Sequence, residues 1–388
     1  MDKKLTSELL AHITEFIKAF YPTENPVPLH APRFLGNEKK YLMDCIDTTY
    51  VSYVGEYVGR FEDAIRQFTG AKYAVAVSSG TAALHVALLL AEVAPGDEVI
   101  TQPLTFVATA NAISYCSAQP VFVDVERSTL GLDPGKLNDF LINKGILKSD
   151  GRCYNKITGR KIAACVPMHT LGHPVRIDQI IEICQRYQIP VVEDAAEALG
   201  SFYMGQHAGT FGDIGILSFN GNKPVTTGGG GMIITNGEAL AAKAKHLTTT
   251  AKQPHPWEFV HDDVGYNYRL PNINAAVGCA QMECFAGVLE NKRTTAQMYK
   301  QFFQDMGIPF IIEPAHARSN YWLNAIVLKG RQEREQFLAY SREKGIQTRP
   351  VWTLMSHLPM YRHCQCTPLE TAQWLEDRLV NIPSSVRI

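Results

Sequence analysis

Between residues 73 and 235 the chain alternates two kinds of segment, short runs that are apolar on both faces and helix-forming stretches. The apolar runs are Tyr73–Val77, Glu98–Thr101, Pro120–Val125, Ala163–Met168, Pro190–Glu193, Gly212–Phe219 and Gly231–Thr235. Helical patterns occupy Thr81–Ala91, Phe106–Tyr115 and Asp178–Tyr187. A strand that is apolar on both faces must be covered above and below, and helices placed between consecutive strands provide that cover. This alternation predicts an α/β fold with a mostly parallel central sheet.

The flanks read differently. An amphipathic helix is expected near residues 5–20, followed by an extended arm over 21–35, where Pro22, Pro26 and Pro28 break regularity. Residues 275–306 read as one long helix with weak points at Gly278 and Gly287. A strand at Asn324–Leu328 and helices at Gln332–Lys344 and Thr371–Leu379 follow. At 388 residues the chain exceeds one simple core. The expected division is an N-terminal helix and arm (1–35), a large domain (36–285) and a smaller C-terminal α/β domain (286–388), with the boundary in or just after the long helix.

Charge narrows the partners. The chain has 37 Lys and Arg against 38 Asp and Glu, which gives no reason to expect nucleic acid or an anionic membrane surface. It leaves room for a local basic pocket that takes a phosphorylated ligand. There is no apolar run of membrane-spanning length and no signal-peptide centre, so a cytoplasmic protein is expected. The nine cysteines are scattered and odd in number, which argues against a disulfide framework. His169 and His173 have the spacing of a metal pair, but they follow a strand and include Gly172 before Pro174, so no metal site is expected. The Gly228–Gly231 run lacks the Lys-Ser/Thr of a P-loop and reads as closing a neighbouring loop.

Four features carry chemistry. Ser78-Ser79-Gly80-Thr81 follows a strand and opens a helix, a place where free amides and hydroxyls receive an anion. The same pattern also serves as an ordinary helix cap. Asp194 ends a buried strand, at the edge where open α/β sheets bind ligands; it reads equally as the cap of the next helix. Lys223 lies in Ser218-Phe219-Asn220-Gly221-Asn222-Lys223, a Gly- and Thr-rich loop unlike a solvated charged face. A lysine in a dry pocket can form an imine with an aldehyde, whereas a loop lysine at the surface does nothing. Asn267 and Arg269, in Gly265-Tyr266-Asn267-Tyr268-Arg269, lie two apart and face the same way if the segment is extended.

Together with Ala71–His85, Pro95–Asn111, Val191–Gly200, Gly209–Lys223 and Gly265–Pro271, these pieces resemble the DegT/StrS sugar-nucleotide aminotransferases. The resemblance implies the fold-type-I architecture of enzymes dependent on pyridoxal 5'-phosphate (PLP). By that resemblance Lys223 is the Schiff-base lysine and the proton carrier. Asp194 would face the pyridine nitrogen and keep it protonated, so that the ring accepts electrons. Ser79, Gly80, Thr81 and Ser218 would hold the phosphate, with Asn267 reaching over from the second subunit of a homodimer with shared active sites. Phe106 would stack on the ring; it reads alternatively as a core aromatic. Glu197 stands where many members of the family carry Gln or His, facing the phenolic oxygen. A carboxylate there is costly unless it is protonated or turned away.

The arm, Arg33–Tyr41, Ser319–Asn324 and Thr348–Trp352 resemble a narrower subgroup. That subgroup aminates C4 of a nucleotide-linked 4-keto-6-deoxy-N-acetylhexosamine for the bacillosamine and legionaminic acid routes. The resemblance implies a nucleotide-sugar substrate and L-glutamate as amino donor, with Arg269, Tyr321, Trp322, Arg349 and Trp352 as substrate contacts. A PLP dehydratase, in which histidine replaces the lysine, and a non-catalytic PLP-binding protein are rivals that Lys223 and Asp194 disfavour.

Overall fold

The structure is a computed structural model and describes residues 6–387. Its centre is built from β1 (Tyr73–Val77), β2 (Glu98–Thr101), β3 (Gln119–Phe122), β4 (Ile162–Val166), β5 (Val192–Asp194), β6 (Ile214–Ser218) and β7 (Gly231–Thr235). Strands β3, β2 and β4 pair in that order, as do β5, β6, β7 and β1. Bridges from Cys165 to Val191 and from Met168 to Asp194 join β4 to β5. The result is one sheet ordered β3-β2-β4-β5-β6-β7-β1. All pairings are parallel except those of β7.

Alternate residues along each strand enter different cores. Val75, Val99, Ile216 and Ile233 face one apolar cluster, whereas Ala76, Leu217 and Met232 face a second and Ile100 and Cys165 a third. This period of two, filled on both faces, is the physical content of the apolar runs. Helix α1 (Ser7–Phe20) lies outside this sheet, whereas α2 (Gly80–Leu90) and α3 (Val107–Tyr115) supply Leu84, Ala87, Ala112 and Ile113 to the first cluster.

The reversed direction of β7 was not legible in the sequence. It arises because β6 and β7 are joined without a crossover helix. The Phe219 amide donates to the Gly230 carbonyl at 2.9 Å and the Thr227 amide donates to the Phe219 carbonyl at 3.0 Å, so the connection closes on itself. Lys223 sits in that closed loop.

The long helix is α4 (Asn272–Met306), capped by Gly307 in the left-handed conformation. Ala275, Phe285 and Leu289 belong to a large-domain core with Phe61 and Phe219. Tyr299, Phe302 and Phe303 belong instead to a core with Leu10, Ile13 and Ile17 of α1. The N-terminal helix therefore packs with the end of α4 and with Ile326, Phe337 and Val380. The small-domain sheet places Leu379–Ile382 between Asn324–Val327 and Arg349–Pro350. The helix expected to run to Leu379 stops at Glu376, because the fully buried Leu379–Ile382 is the central strand. Helices Glu38–Asp47, Glu56–Thr69 and Pro134–Lys144 are additions that the sequence reading left unassigned. Among the described residues no helix is long and apolar enough to cross a membrane.

The two glycines of α4 differ in what surrounds them. A Cβ on Gly278 would lie 2.7–2.9 Å from the buried Phe61 ring, whereas one on Gly287 would meet nothing within 4 Å. Gly287→Ala should raise stability by roughly 0.5–1 kcal/mol through helix propensity. Gly278→Ala should lower it by roughly 1–3 kcal/mol through overpacking. Denaturant midpoints of the two variants check this opposition of sign.

Candidate active site

The carboxyl ends of β1, β5 and β6 open onto a cavity of about 310 Å³, near the lower end of ligand-site volumes, roughly 300–1,000 Å³. Its wall includes Ser79, Gly80 and Thr81 after β1, Asp194 and Glu197 after β5, and Ser218 and Lys223 after β6. Phe106, Trp322 and Trp352 complete the wall.

One end is built for an anion. Ser79 caps α2, its Oγ accepting from the Ala82 amide at 3.0 Å, while its carbonyl accepts from the Ala83 amide. The amides of Gly80 and Thr81, in the first turn, are left over for a ligand. The Ser79 hydroxyl keeps a proton to donate. Two glycines make the close packing possible. A Cβ on Gly80 would lie 2.8 Å from the Ser218 Cβ, and one on Gly231 would lie 2.4 Å from the Ser79 carbonyl oxygen. Either would push the helix start away from β6 and β7.

Asp194 is buried with its carboxylate anchored. Thr109 Oγ1 donates to Oδ2 at 2.7 Å and the Ala196 amide to Oδ1 at 3.2 Å. Burial pushes its pKa up, against the pull of Thr109. It is not a cap for a following helix, since none begins there. The preceding Glu193 has a different task. It accepts from the amides of Gly209, Phe211 and Gly212 at 2.8, 2.7 and 2.6 Å and contacts His169 Nε2 at 3.0 Å. Burial raises its pKa, but His169 and these amides outweigh that and leave it lowered. His173 goes elsewhere, to Ser319 Oγ at 2.9 Å.

Lys223 is nearly buried, and its Nζ has two neighbours. Glu197 Oε1 accepts from it at 3.2 Å, and the Trp322 ring centroid lies 3.6 Å away. Glu197 has not turned away from the site. Its other oxygen accepts from the Leu171 amide at 2.9 Å. Burial pushes its pKa up to about 7 even though Lys223 pulls it down. Near neutrality this carboxyl therefore holds its proton much of the time. The Trp322 indole donates to the Asn222 carbonyl at 2.7 Å, so the aromatic face is tied to the residue next to Lys223.

The remaining candidates divide. Phe106 is half-exposed at the cavity, in the N-cap position of α3, and its ring centre lies 6.4 Å from that of Trp352. It is not the core aromatic of the alternative reading. Asn267 and Arg269 face the same way as the spacing predicts. Asn267 Oδ1 accepts from Arg269 at 2.8 and 3.1 Å, and the guanidinium lies 3.8 Å over the Tyr53 ring. Neither reaches the cavity of its own chain. Arg349 is exposed on its strand outside the cavity wall. Tyr321 is buried behind the wall, its hydroxyl accepting from the Glu313 amide at 3.0 Å, so its side chain is a packing element. Sequence reading missed Thr109, which its position three residues after Phe106 on one helix could have flagged. It also missed Asn222 and Asn320. Asn320 accepts from the Trp322 amide at 2.8 Å and donates to the carbonyls of Glu197 and Leu199, and nothing local signals this.

This donor set fits PLP. The cradle suits a phosphate, a buried carboxylate is available for a protonated ring nitrogen, and a lysine amine shares the cavity.

Comparison with known proteins agrees. Residues 35–388 match the family model of the DegT/DnrJ/EryC1/StrS aminotransferases. The chain is 37% identical over 359 residues to a GDP-perosamine synthase of Escherichia coli O157:H7, covering 92% of this chain and 93% of that protein. The aminotransferase TlmJ of Streptoalloteichus hindustanus superposes with a TM-score of 0.83 at 25% identity, over 92% of each chain. A Streptococcus pneumoniae protein assigned as a sugar aminotransferase, solved in its PLP form, shares the fold with a TM-score of 0.84 at 21% identity, over 94% of this chain and 95% of that one. The chain belongs to the DegT/DnrJ/EryC1/StrS family of PLP-dependent sugar aminotransferases.

Proposed function

We propose that the chain moves the amino group of L-glutamate to C4 of a nucleotide-linked 4-keto-6-deoxy sugar, with Lys223 as the working base. The observation that carries this is the convergence of the Lys223 amine, the buried Asp194 carboxylate and the α2 N-terminus on one cavity. Bound PLP supplies an electron sink for the carbanion at the reacting carbon. Asp194, desolvated and held by Thr109, favours a protonated ring nitrogen. Glu197, carrying its proton near neutrality, avoids a clash of like charges with the phenolic oxygen. With the cofactor bound, the Lys223 amine would be the group that takes the glutamate α-proton. In the second half-reaction it delivers a proton to the sugar C4. The Trp322 and Trp352 rings give that side of the cavity an apolar wall.

For the sugar, GDP-perosamine synthase relatives support a GDP-linked substrate. The arm and small-domain motifs resemble the subgroup that takes nucleotide-linked 4-keto-6-deoxy-N-acetylhexosamines, with UDP or GDP as the carrier. We also read the active form as a homodimer. Phe34, Leu35, Met43, Ile46, Tyr50 and Val54 expose apolar surface, and Asn267 lies outside its own cavity, as a residue serving a second copy would.

Two outcomes follow. Lys223→Ala should lower turnover at least about a thousandfold and remove the visible absorbance of the bound cofactor. A coupled glutamate assay against UDP- and GDP-linked 4-keto sugars checks the rate and identifies the nucleotide, and wild-type turnover by the variant would remove Lys223 from its role. The second outcome concerns Glu197 in the cofactor-free protein. Its carboxyl titrates near 4.5 when unfolded and about 7 when folded. Between these values the folded chain holds a proton that the unfolded chain has lost, so stability falls as pH rises through that window, by on the order of 2–3 kcal/mol. Glu197→Gln should flatten this slope in melting curves taken from about pH 5 to 7.

A further inference from the structure

Behind the Lys223 cavity lies a second, wholly buried lysine. Lys292 on α4 donates to the Trp322 carbonyl at 3.2 Å and the Ser384 carbonyl at 2.7 Å, and its Nζ lies 3.0 Å from His30 Nε2. Burial pushes its pKa down to about 7. His30 arrives on the N-terminal arm. When Lys292 is protonated, His30 accepts at Nε2 and carries its own proton on Nδ1. That Nδ1 is sealed from solvent without a hydrogen bond. Burial, Lys292 and Lys223 hold this imidazole neutral.

These contacts share one geometry. The Asn222 carbonyl is the acceptor of the Trp322 indole, and the Trp322 carbonyl is held by Lys292, which His30 contacts. The Trp322 backbone is thus fixed from outside the cavity, and its ring lies 3.6 Å from Lys223 Nζ. A buried lysine serving only to satisfy two carbonyls is an expensive device, since an apolar side chain and a repacked turn would avoid its desolvation. A role in placing the aromatic face accounts for it.

We propose that Lys292, braced by His30, is a positioning residue that holds the Trp322 backbone, and that the pair thereby sets where the Lys223 amine stands. The N-terminal arm is then part of the active site although none of its residues lines the cavity. The proposal rests on the reading of Lys223 as the lysine that carries the cofactor.

The test uses full-length, PLP-loaded protein and the variants His30→Ala, His30→Gln, Lys292→Met and Lys223→Ala. The visible absorbance of the bound cofactor is titrated against pH, and kcat and KM for glutamate are measured beside cofactor content and melting temperature. His30→Ala and Lys292→Met should bind a full complement of cofactor. They should move the titration midpoint by about half a pH unit or more, a roughly threefold change in the proton equilibrium. They should also lower kcat about tenfold, with KM for glutamate held within about threefold. His30→Gln, which keeps an acceptor and a donor, should recover most of both. Wild-type midpoints and kcat in both His30→Ala and Lys292→Met would overturn the proposal. So would a rate loss that only tracks lost cofactor or lost folded protein. If Lys223→Ala kept wild-type turnover, the functional reading would fall and the proposal with it.

Discussion

The placement of one amine organises this molecule. Lys223 Nζ stands between the Glu197 carboxyl and the Trp322 ring, on a side chain nearly buried from solvent. An amine so placed needs compensation for lost solvent, and it receives it from one carboxyl and one aromatic face. Each partner is itself fixed: Glu197 by the Leu171 amide, and Trp322 by the Asn222 carbonyl and by Asn320. Movement of the amine therefore disturbs several elements at once.

The sheet makes that placement possible. Because β1, β5 and β6 run parallel, their carboxyl ends deliver the anion cradle, Asp194 and Lys223 to one edge. The antiparallel β7 returns beside β1 and brings Gly231 against Ser79, where no side chain fits. The small domain then closes the cavity with Trp322 and Trp352. The wall thus takes Lys223 from the loop after β6 and Trp322 and Trp352 from beyond α4, the helix that belongs to two cores.

Much of this was legible in the chain. Strands apolar on both faces announced a covered parallel sheet, and Ser79, Gly80, Asp194, Ser218 and Lys223 announced their positions at its carboxyl edge. Local signals did not reach further. Nothing near Leu379 tells that the strand there is central, because its burial comes from segments fifty and thirty residues away. Tyr321 and Trp322 are adjacent and equally aromatic, yet one packs behind the wall and the other lines it; Tyr321 has a left-handed backbone, which no motif reveals. His30 and Lys292 are separated by most of the chain and meet only through the tertiary fold.

A low pKa alone would favour the wrong lysine. Lys292 has the depressed value, but its three hydrogen bonds are already made and it lies outside the cavity. The proposed assignment rests on the place of Lys223 in the cavity wall. The most direct test is borohydride reduction of the PLP-loaded protein followed by peptide mapping of the labelled lysine. The account predicts one label, on Lys223. A label on Lys292, or spread over surface lysines with Lys223 unmodified, would contradict it.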